Sequence, residues 1–376
     1  MKILIISSYF GEVIGGALNF IKELSKELTS RGHQVNLLLD DRYKKLFSDK
    51  EFDIIWFSSV KITAYSPSLS FLRIISKIEA DVIHLHGYKS FQTDFAALIG
   101  YLRKIPIILT PHGSLLGYEY LYDSYASKLP YRIHDVLTLK IPTKISKNII
   151  ATSQSEFQDC KKYGISENKI KLIPLSFSPP SNLNLEKKEI GKRLLFVGRI
   201  VPLKNLDVLL KAVKIIKKSI PEIELIIVGD EISGRLQGDI GYKEKMILLT
   251  RSLDIKENVK FEGWKVSKEL WDIYQKADLF VLASTYENFG LPLLEAAYFG
   301  LPLVSTDVGV AKQIISENRG GLITKLDSNE FATEIIKLLK DETKYSLASK
   351  YVREKIEKFS IKTVADKYEE VFLENE

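Results

Sequence analysis

Short, nearly unbroken apolar runs recur along the chain, each ending on polar residues or glycine. The first half carries KILIIS, QVNLLLD, DIIWFSS, DVIHLHG, IPIILTPHG and NIIATS. The second half carries RLLFVGR, ELIIVGD, NVKFEG, DLFVLAS and LPLVSTD. Strands covered on both faces read as continuous apolar runs, whereas half-exposed strands alternate, so parallel sheet is predicted. Between the runs the period changes. Phe20, Ile21, Leu24 and Leu28 fall at helical spacing between Ala17 and Arg31, and Gly32 ends that helix just before the next strand. The same order returns after RLLFVGR, where Leu206, Leu209, Leu210, Val213 and Ile216 share one face before Pro221.

These are βαβ units, and the chain is expected to be α/β, with two Rossmann-like doubly wound domains facing a central cleft. The predicted domains are 1–177 and 191–359, joined by a linker over 178–190 where SFSPPSNLNLEKKE loses periodicity. A last helix, about Ile361 to Leu373, carries Val364, Tyr368 and Phe372 on one stripe and is expected to pack back on the first domain.

At 376 residues, 45% hydrophobic and 27% charged, the chain suits two cores and excludes wholesale disorder. A single cysteine, Cys160, allows no intramolecular disulfide, no Cys/His cluster has zinc spacing, and a cytoplasmic setting is expected. MKILIISSYF reads as a first buried strand and not a signal peptide, and no apolar run reaches the roughly 18 residues of a membrane span. The net charge of +6 sits in the first half, since residues 1–176 hold 23 basic against 17 acidic groups and residues 177–376 hold 31 of each. That asymmetry points to an anionic partner, a phosphorylated carrier or the cytoplasmic face of a membrane, or else to a basic surface that serves solubility. No nucleic-acid partner is expected.

Several motifs could hold a phosphate. There is no Walker A loop, no dinucleotide glycine fingerprint and no Asp-x-Asp, so no metal or other cofactor is expected, and amides, helix ends, Arg and Lys must do the work. Gly15 and Gly16 sit between the first strand and first helix, either as an anion cradle or as a plain tight turn. Arg199 and Lys204 follow a buried strand and can flank a diphosphate, although loop cations are often simply solvated. In ENFGLPLLE, Pro292 favours a helix start near Leu291, leaving the amides of Phe289, Gly290 and Leu291 free to meet an anion. Glu287 and Glu295 flank this turn. They could grip hydroxyls of two sugars, or Glu295 could merely favour the helix dipole while Glu287 stays a solvated loop charge. Three histidines end strands: His112 in TPHG is the better site candidate. His84 and His86 are expected to point to opposite faces, so that at most one of them meets the same ligand.

Taken together, GGALNFIKELSKELTSRGHQV, DVIHLHG, TPHG, ATSQSEFQDCKKYGI, LLFVGRIVPLKNLDVLLKA, LIIVGD, VKFEGW and ENFGLPLLEAAYFGLPLVSTDVG resemble the family 4 retaining glycosyltransferases of the GT-B type. The resemblance implies that Arg199 and Lys204 bind the diphosphate of a nucleotide-sugar donor. It assigns Glu287 to the transferred sugar, Glu295 to the ribose, and His112 to the donor sugar. Asn288, Phe289, Gly290, Leu291, Gly15 and Gly16 would complete the cradle. A glycan or polyprenyl-linked acceptor is implied, with its contacts in first-domain loops around Tyr65 to Ser70 and Leu115 to Lys128. A sucrose- or trehalose-type synthase, a phosphorylase or a non-catalytic nucleotide-sugar sensor are the alternatives. One departure is visible at 309–315: after STDVG the chain reads VAKQII, where relatives carry a second Gly and a Pro-Glu pair.

Overall fold

In the computed structural model the chain forms two units, Met1–Ser178 with Phe359–Glu376, and Pro179–Lys358. The structure describes residues 1–7, 16–46, 52–60, 65–122, 124–177, 190–231 and 240–375, so Gly15 and positions 178–189 of the predicted linker lie outside the described residues.

The strands of unit 1 are β1 (Lys2–Ser7), β2 (Gln34–Asp40), β3 (Asp53–Phe57), β4 (Val82–His86), β5 (Ile107–Thr110), β6 (Asn148–Ala151) and β7 (Ile170–Leu172). They form one parallel sheet in the order β3-β2-β1-β4-β5-β6-β7. Unit 2 contains β8 (Arg193–Val197), β9 (Glu224–Val228), β10 (Val259–Gly263), β11 (Leu279–Leu282), β12 (Leu303–Ser305) and β13 (Gly321–Ile323). Its sheet, also parallel, runs β10-β9-β8-β11-β12-β13. The strand order of each sheet reverses once, between β1 and β4 and between β8 and β11, and ligands of doubly wound sheets bind outside the strand ends at such points.

Burial explains the unbroken apolar runs. Ile3 to Ile6 of β1 and Leu279 to Leu282 of β11 are almost wholly inaccessible. Helices cover both faces: Gly16–Ser30 buries Leu18, Phe20, Ile21, Leu24 and Leu28, and Leu206–Lys217 buries its predicted stripe with Ala212 added.

The last helix, Ile361–Leu373, belongs to unit 1. It buries Val364, Ala365, Tyr368, Val371 and Phe372, each worth about 1.5–3 kcal/mol for the larger side chains. Tyr368 meets Phe20 at 5.8 Å between ring centroids, and Arg31 donates to Asp366 at 2.6 Å and Glu369 at 2.9 Å. This return changes the charge picture. Residues 1–178 hold 23 basic and 17 acidic groups, while 359–376 bring two lysines and five carboxylates, so unit 1 carries 25 against 22. Unit 2 carries the remaining 29 against 26, the same excess of three. The asymmetry of the two sequence halves is therefore not a property of the folded units.

Candidate active site

At the switch point of unit 2 the loops after β8 and β11 are stitched together by Asn205. Its Nδ2 donates to the Ala283 carbonyl at 2.9 Å and to Thr285 Oγ1 at 2.7 Å, and the Thr285 amide donates to the Leu203 carbonyl at 2.9 Å. These bonds bring Lys204 against Glu287. The two form an ion pair with side chains only 10% and 15% exposed, and Glu287 Oε1 also accepts from Ser284 Oγ at 2.8 Å. The two residues that sequence reasoning assigned to separate parts of a donor thus hold each other. Arg199 lies on the same β8 loop, partly buried, and makes no hydrogen bond or ion pair among the described residues.

The turn before the next helix is built as expected. Gly290 has φ +86°, a conformation that side-chain-bearing residues rarely adopt, and it opens the helix Leu291–Tyr298 with Pro292 in the first turn. The amides of Gly290 and Leu291 donate to no group among the described residues, so the helix presents uncompensated N–H dipoles. Phe289 is buried, and its carbonyl accepts from the Val310 amide at 2.8 Å. A Cβ at Gly309 would stand 2.2 Å from that carbonyl oxygen. The atypical 309–315 segment, which contains the helix Ala311–Ile315, therefore braces the turn through its backbone.

Glu295 accepts from Tyr274 Oη at 2.6 Å, and burial raises its pKa to about 7 against the opposing pull of that hydrogen bond. Tyr274 lies in the helix Ser267–Lys276, fully inaccessible and stacked on Phe299 with centroids 5.4 Å apart. Sequence reasoning missed it, because a residue 21 positions from its partner leaves no local pattern.

In unit 1, Gly16 opens the helix after β1, and His112 follows β5 with φ +53°. The histidine expectation needs correction. Residues two apart on a strand share a face, and His84 and His86 lie side by side with ring centroids 4.0 Å apart, both buried. His84 Nε2 meets Thr110 Oγ1 at 2.8 Å, and His86 Nδ1 meets His112 Nε2 at 2.8 Å. Burial lowers the pKa of His84 to about 3 and of His112 to about 4, and holds His86 well below its ordinary value. All three are neutral at physiological pH.

A second missed residue, Glu156, supports the turn bearing His112. Fully enclosed, it accepts from the Gly113 amide, from the Thr152 amide at 2.7 Å and from Thr152 Oγ1 at 2.6 Å. The signal was present in ATSQSE: Ser153 caps the helix Gln154–Tyr163, and Glu156 stands where a capping box places its acid. Among the described residues no three His, Cys, Asp or Glu are placed to hold a metal ion.

Residues 14–177 match the family model described as Glycosyltransferase Family 4, and residues 182–355 match Glycosyl transferases group 1. The chain is 29% identical over 286 residues to an uncharacterised 41.2 kDa protein in the cps region of Klebsiella pneumoniae, covering 72% of this chain and 73% of that one. It is 26% identical over 326 residues to the UDP-Gal:α-D-GlcNAc-diphosphoundecaprenol α-1,3-galactosyltransferase of Escherichia coli, covering 81% and 78%. The crystal structure of Anabaena Alr3699/HepE in complex with UDP and glucose superposes with a TM-score of 0.78 over the whole of both chains at 19% identity. With two doubly wound parallel sheets and both family models in chain order, the protein belongs to glycosyltransferase family 4 and is a glycosyltransferase of GT-B fold.

Proposed function

We propose that the protein is a retaining hexosyltransferase that moves a sugar from a nucleoside-diphosphate donor to a glycan or polyprenyl-linked glycan acceptor. The observation that carries this reading is the junction of the loops after β8 and β11. Arg199 is a cation without a partner among the described residues, Lys204 is a cation shared with Glu287, and the amides of Gly290 and Leu291 are unused. A diphosphate supplies the charge these groups lack, at the strand ends where doubly wound sheets bind ligands. Arg199 offers a planar two-point contact and Lys204 a point charge.

Glu287 accepts from hydroxyls of the transferred sugar while Lys204 turns to the diphosphate, and Glu295 accepts from the ribose. His112, neutral at physiological pH, contributes a hydrogen bond without a charge, and the family resemblance assigns it to the donor sugar. In the transfer step the bond from C1 to the diphosphate breaks, and the acceptor oxygen bonds C1 on the same face. The acceptor proton passes to an oxygen of the leaving phosphate. Arg199 and Lys204 stabilise the charge that develops there, and no metal is included in the proposal.

A lipid-linked acceptor draws support from the Escherichia coli relative, whose name specifies a diphosphoundecaprenol substrate, and a nucleoside-diphosphate donor from the Anabaena complex with UDP and glucose. The test is product analysis by NMR after incubation with a panel of nucleotide sugars and polyprenyl-diphosphate-linked sugars, with and without chelator. Transfer with the donor's anomeric configuration kept, undiminished by chelator, is expected. An inverted product would refute the mechanism, and loss of activity restored by a divalent cation would refute the metal-free site.

A further inference from the structure

His86 is the last residue of β4, a strand at the switch point of the unit 1 sheet, and pairs in register with Thr110 at the end of β5. Two residues further on the chain turns at His112, whose φ of +53° is a conformation that side-chain-bearing residues rarely adopt. Glu156 fixes that turn by accepting from the Gly113 amide. The turn lays the ring of His112 against that of His86, with planes 17° apart and Nε2 2.8 Å from His86 Nδ1. His86 is itself wedged in place, 1% exposed, with the ring of His84 at 4.0 Å and the edge of Phe20 at 6.3 Å between centroids.

A bond between two neutral imidazoles needs a proton on one of the two facing nitrogens. Either His86 donates, and His112 then carries its own proton on Nδ1, or His112 donates from Nε2, and its Nδ1 is a bare lone pair. The surroundings of His112 Nδ1 decide between them. That atom is enclosed and has no hydrogen-bond partner among the described residues. An enclosed N–H left unpaired is rarer and costlier in proteins than an acceptor with a spare lone pair. The proton therefore belongs on Nε2, inside the bond to His86, and Nδ1 is an unused acceptor. His84 does not compete for this role, since its Nε2 is engaged with Thr110 Oγ1 at 2.8 Å.

Which nitrogen of a histidine carries the proton is set by the bond that the other nitrogen makes. A bare ring nitrogen accepts from a hydroxyl, the group that a sugar presents. Burial keeps His112 from taking up a second proton at physiological pH, so the lone pair stays available.

We propose that His86 is a positioning residue: by accepting from His112 Nε2 it holds that ring in the tautomer whose Nδ1 accepts from a hydroxyl of the transferred sugar. The sugar contact rests on the transfer proposed above, whereas the tautomer does not.

The first measurement is a long-range proton–nitrogen correlation spectrum of the full chain labelled with nitrogen-15, at neutral pH and without substrate. His112 is identified by the signals missing from His112→Ala. Wild type is expected to show His112 protonated on Nε2 alone, and this spectrum needs no variant of His86 to fold. Two substitutions then separate the hydrogen bond from the packing, because both remove the His86 ring. His86→Asn puts a carbonyl oxygen at the level of the lost Nδ1, and His86→Leu fills the space with no acceptor. His86→Asn keeps the wild-type tautomer and transfers sugar within about threefold of wild type, whereas His86→Leu shows mixed tautomers and loses about tenfold in kcat/KM, the worth of one neutral hydrogen bond. The donor is the nucleotide sugar that turns over in the panel above. A role in packing alone would move both variants together, or the smaller Asn further. A His112 proton on Nδ1 in wild type overturns the proposal, as does equal loss in the two variants or wild-type turnover in His86→Leu. Wild-type protein that turns over no nucleotide sugar while its tautomer is as stated would refute the transfer reading and leave the role of His86 in setting the tautomer.

Discussion

Replacing Glu287 by Gln separates two roles that the ion pair with Lys204 ties together. The exchange keeps the side-chain shape and removes the charge, leaving Lys204 as a nearly buried cation with no counter-charge. Breaking a fully buried pair in this way costs about 3–5 kcal/mol; the residual exposure of both partners lowers the expectation to about 2–3 kcal/mol of stability. A nucleoside diphosphate supplies the missing anion. It should therefore bind the variant at least as tightly as wild type, and up to about tenfold tighter if about 1.4 kcal/mol of the lost pairing is recovered. Turnover should fall about 10- to 150-fold, the equivalent of one charge-assisted hydrogen bond of about 1.5–3 kcal/mol made to the transferred sugar. Calorimetric titration with nucleoside diphosphate, melting with and without it, and initial rates on the same preparations read all three. Diphosphate affinity that drops in Glu287→Gln as far as in Lys204→Ala would mean that the pair acts as one unit in holding the diphosphate, and the division of roles would be refuted.

Three other outcomes follow from the same geometry. Because Glu295 ionises near pH 7, donor affinity should fall by up to tenfold per unit as pH drops below 7, and Glu295→Gln should remove that dependence; a pH series of donor KM for both proteins checks it. Glu156→Ala leaves the amides of Gly113 and Thr152 without their acceptor. Melting should report a loss of about 2–4 kcal/mol and kinetics a lower kcat, because the turn under His112 loosens. His84, His86 and His112 have folded pKa values below the unfolded one, so their stabilisation is complete above about pH 6.5 and is lost as pH falls toward 4 and 3. Each contributes a slope of up to about 1.4 kcal/mol per pH unit in that window. His134, raised to about 9 by Asp135 and Asp94 against the cost of its burial, opposes them: its contribution is full below about 6.5 and is lost as pH rises through 9. Denaturant melts should show net stability declining from pH 6.5 to 5, a decline made shallower not by His134, whose contribution is constant there, but by Glu295, whose raised pKa of about 7 makes protonation favour the folded state over the same interval; a flat profile would contradict the neutral stack.

How far the molecule could be read from its residues depended on the range of each signal. Long buried runs such as KILIIS and the stripes of the helices Gly16–Ser30 and Leu206–Lys217 repeat within one element, and they were legible. β7 and β13, three residues each, are too short to show a period. The turn at Gly290 and the helix start at Pro292 were legible because turn chemistry is local. The pairing of Lys204 with Glu287 spans 83 residues and is set by the neighbouring positions of β8 and β11, which no spacing along the chain reveals. Tyr274 was hidden for the same reason. The charge asymmetry was misread because the last helix carries its carboxylates back to unit 1.

The account's central claim is that the loops after β8 and β11 hold a donor diphosphate through Arg199 and Lys204. Calorimetric binding of nucleoside diphosphates, in chelator, to wild type and to Arg199→Ala with Lys204→Ala measures it directly. Two charge-assisted contacts at about 1.5–3 kcal/mol each predict a loss of at least a hundredfold in affinity, with the fold retained. Equal affinity in the two proteins would contradict the claim.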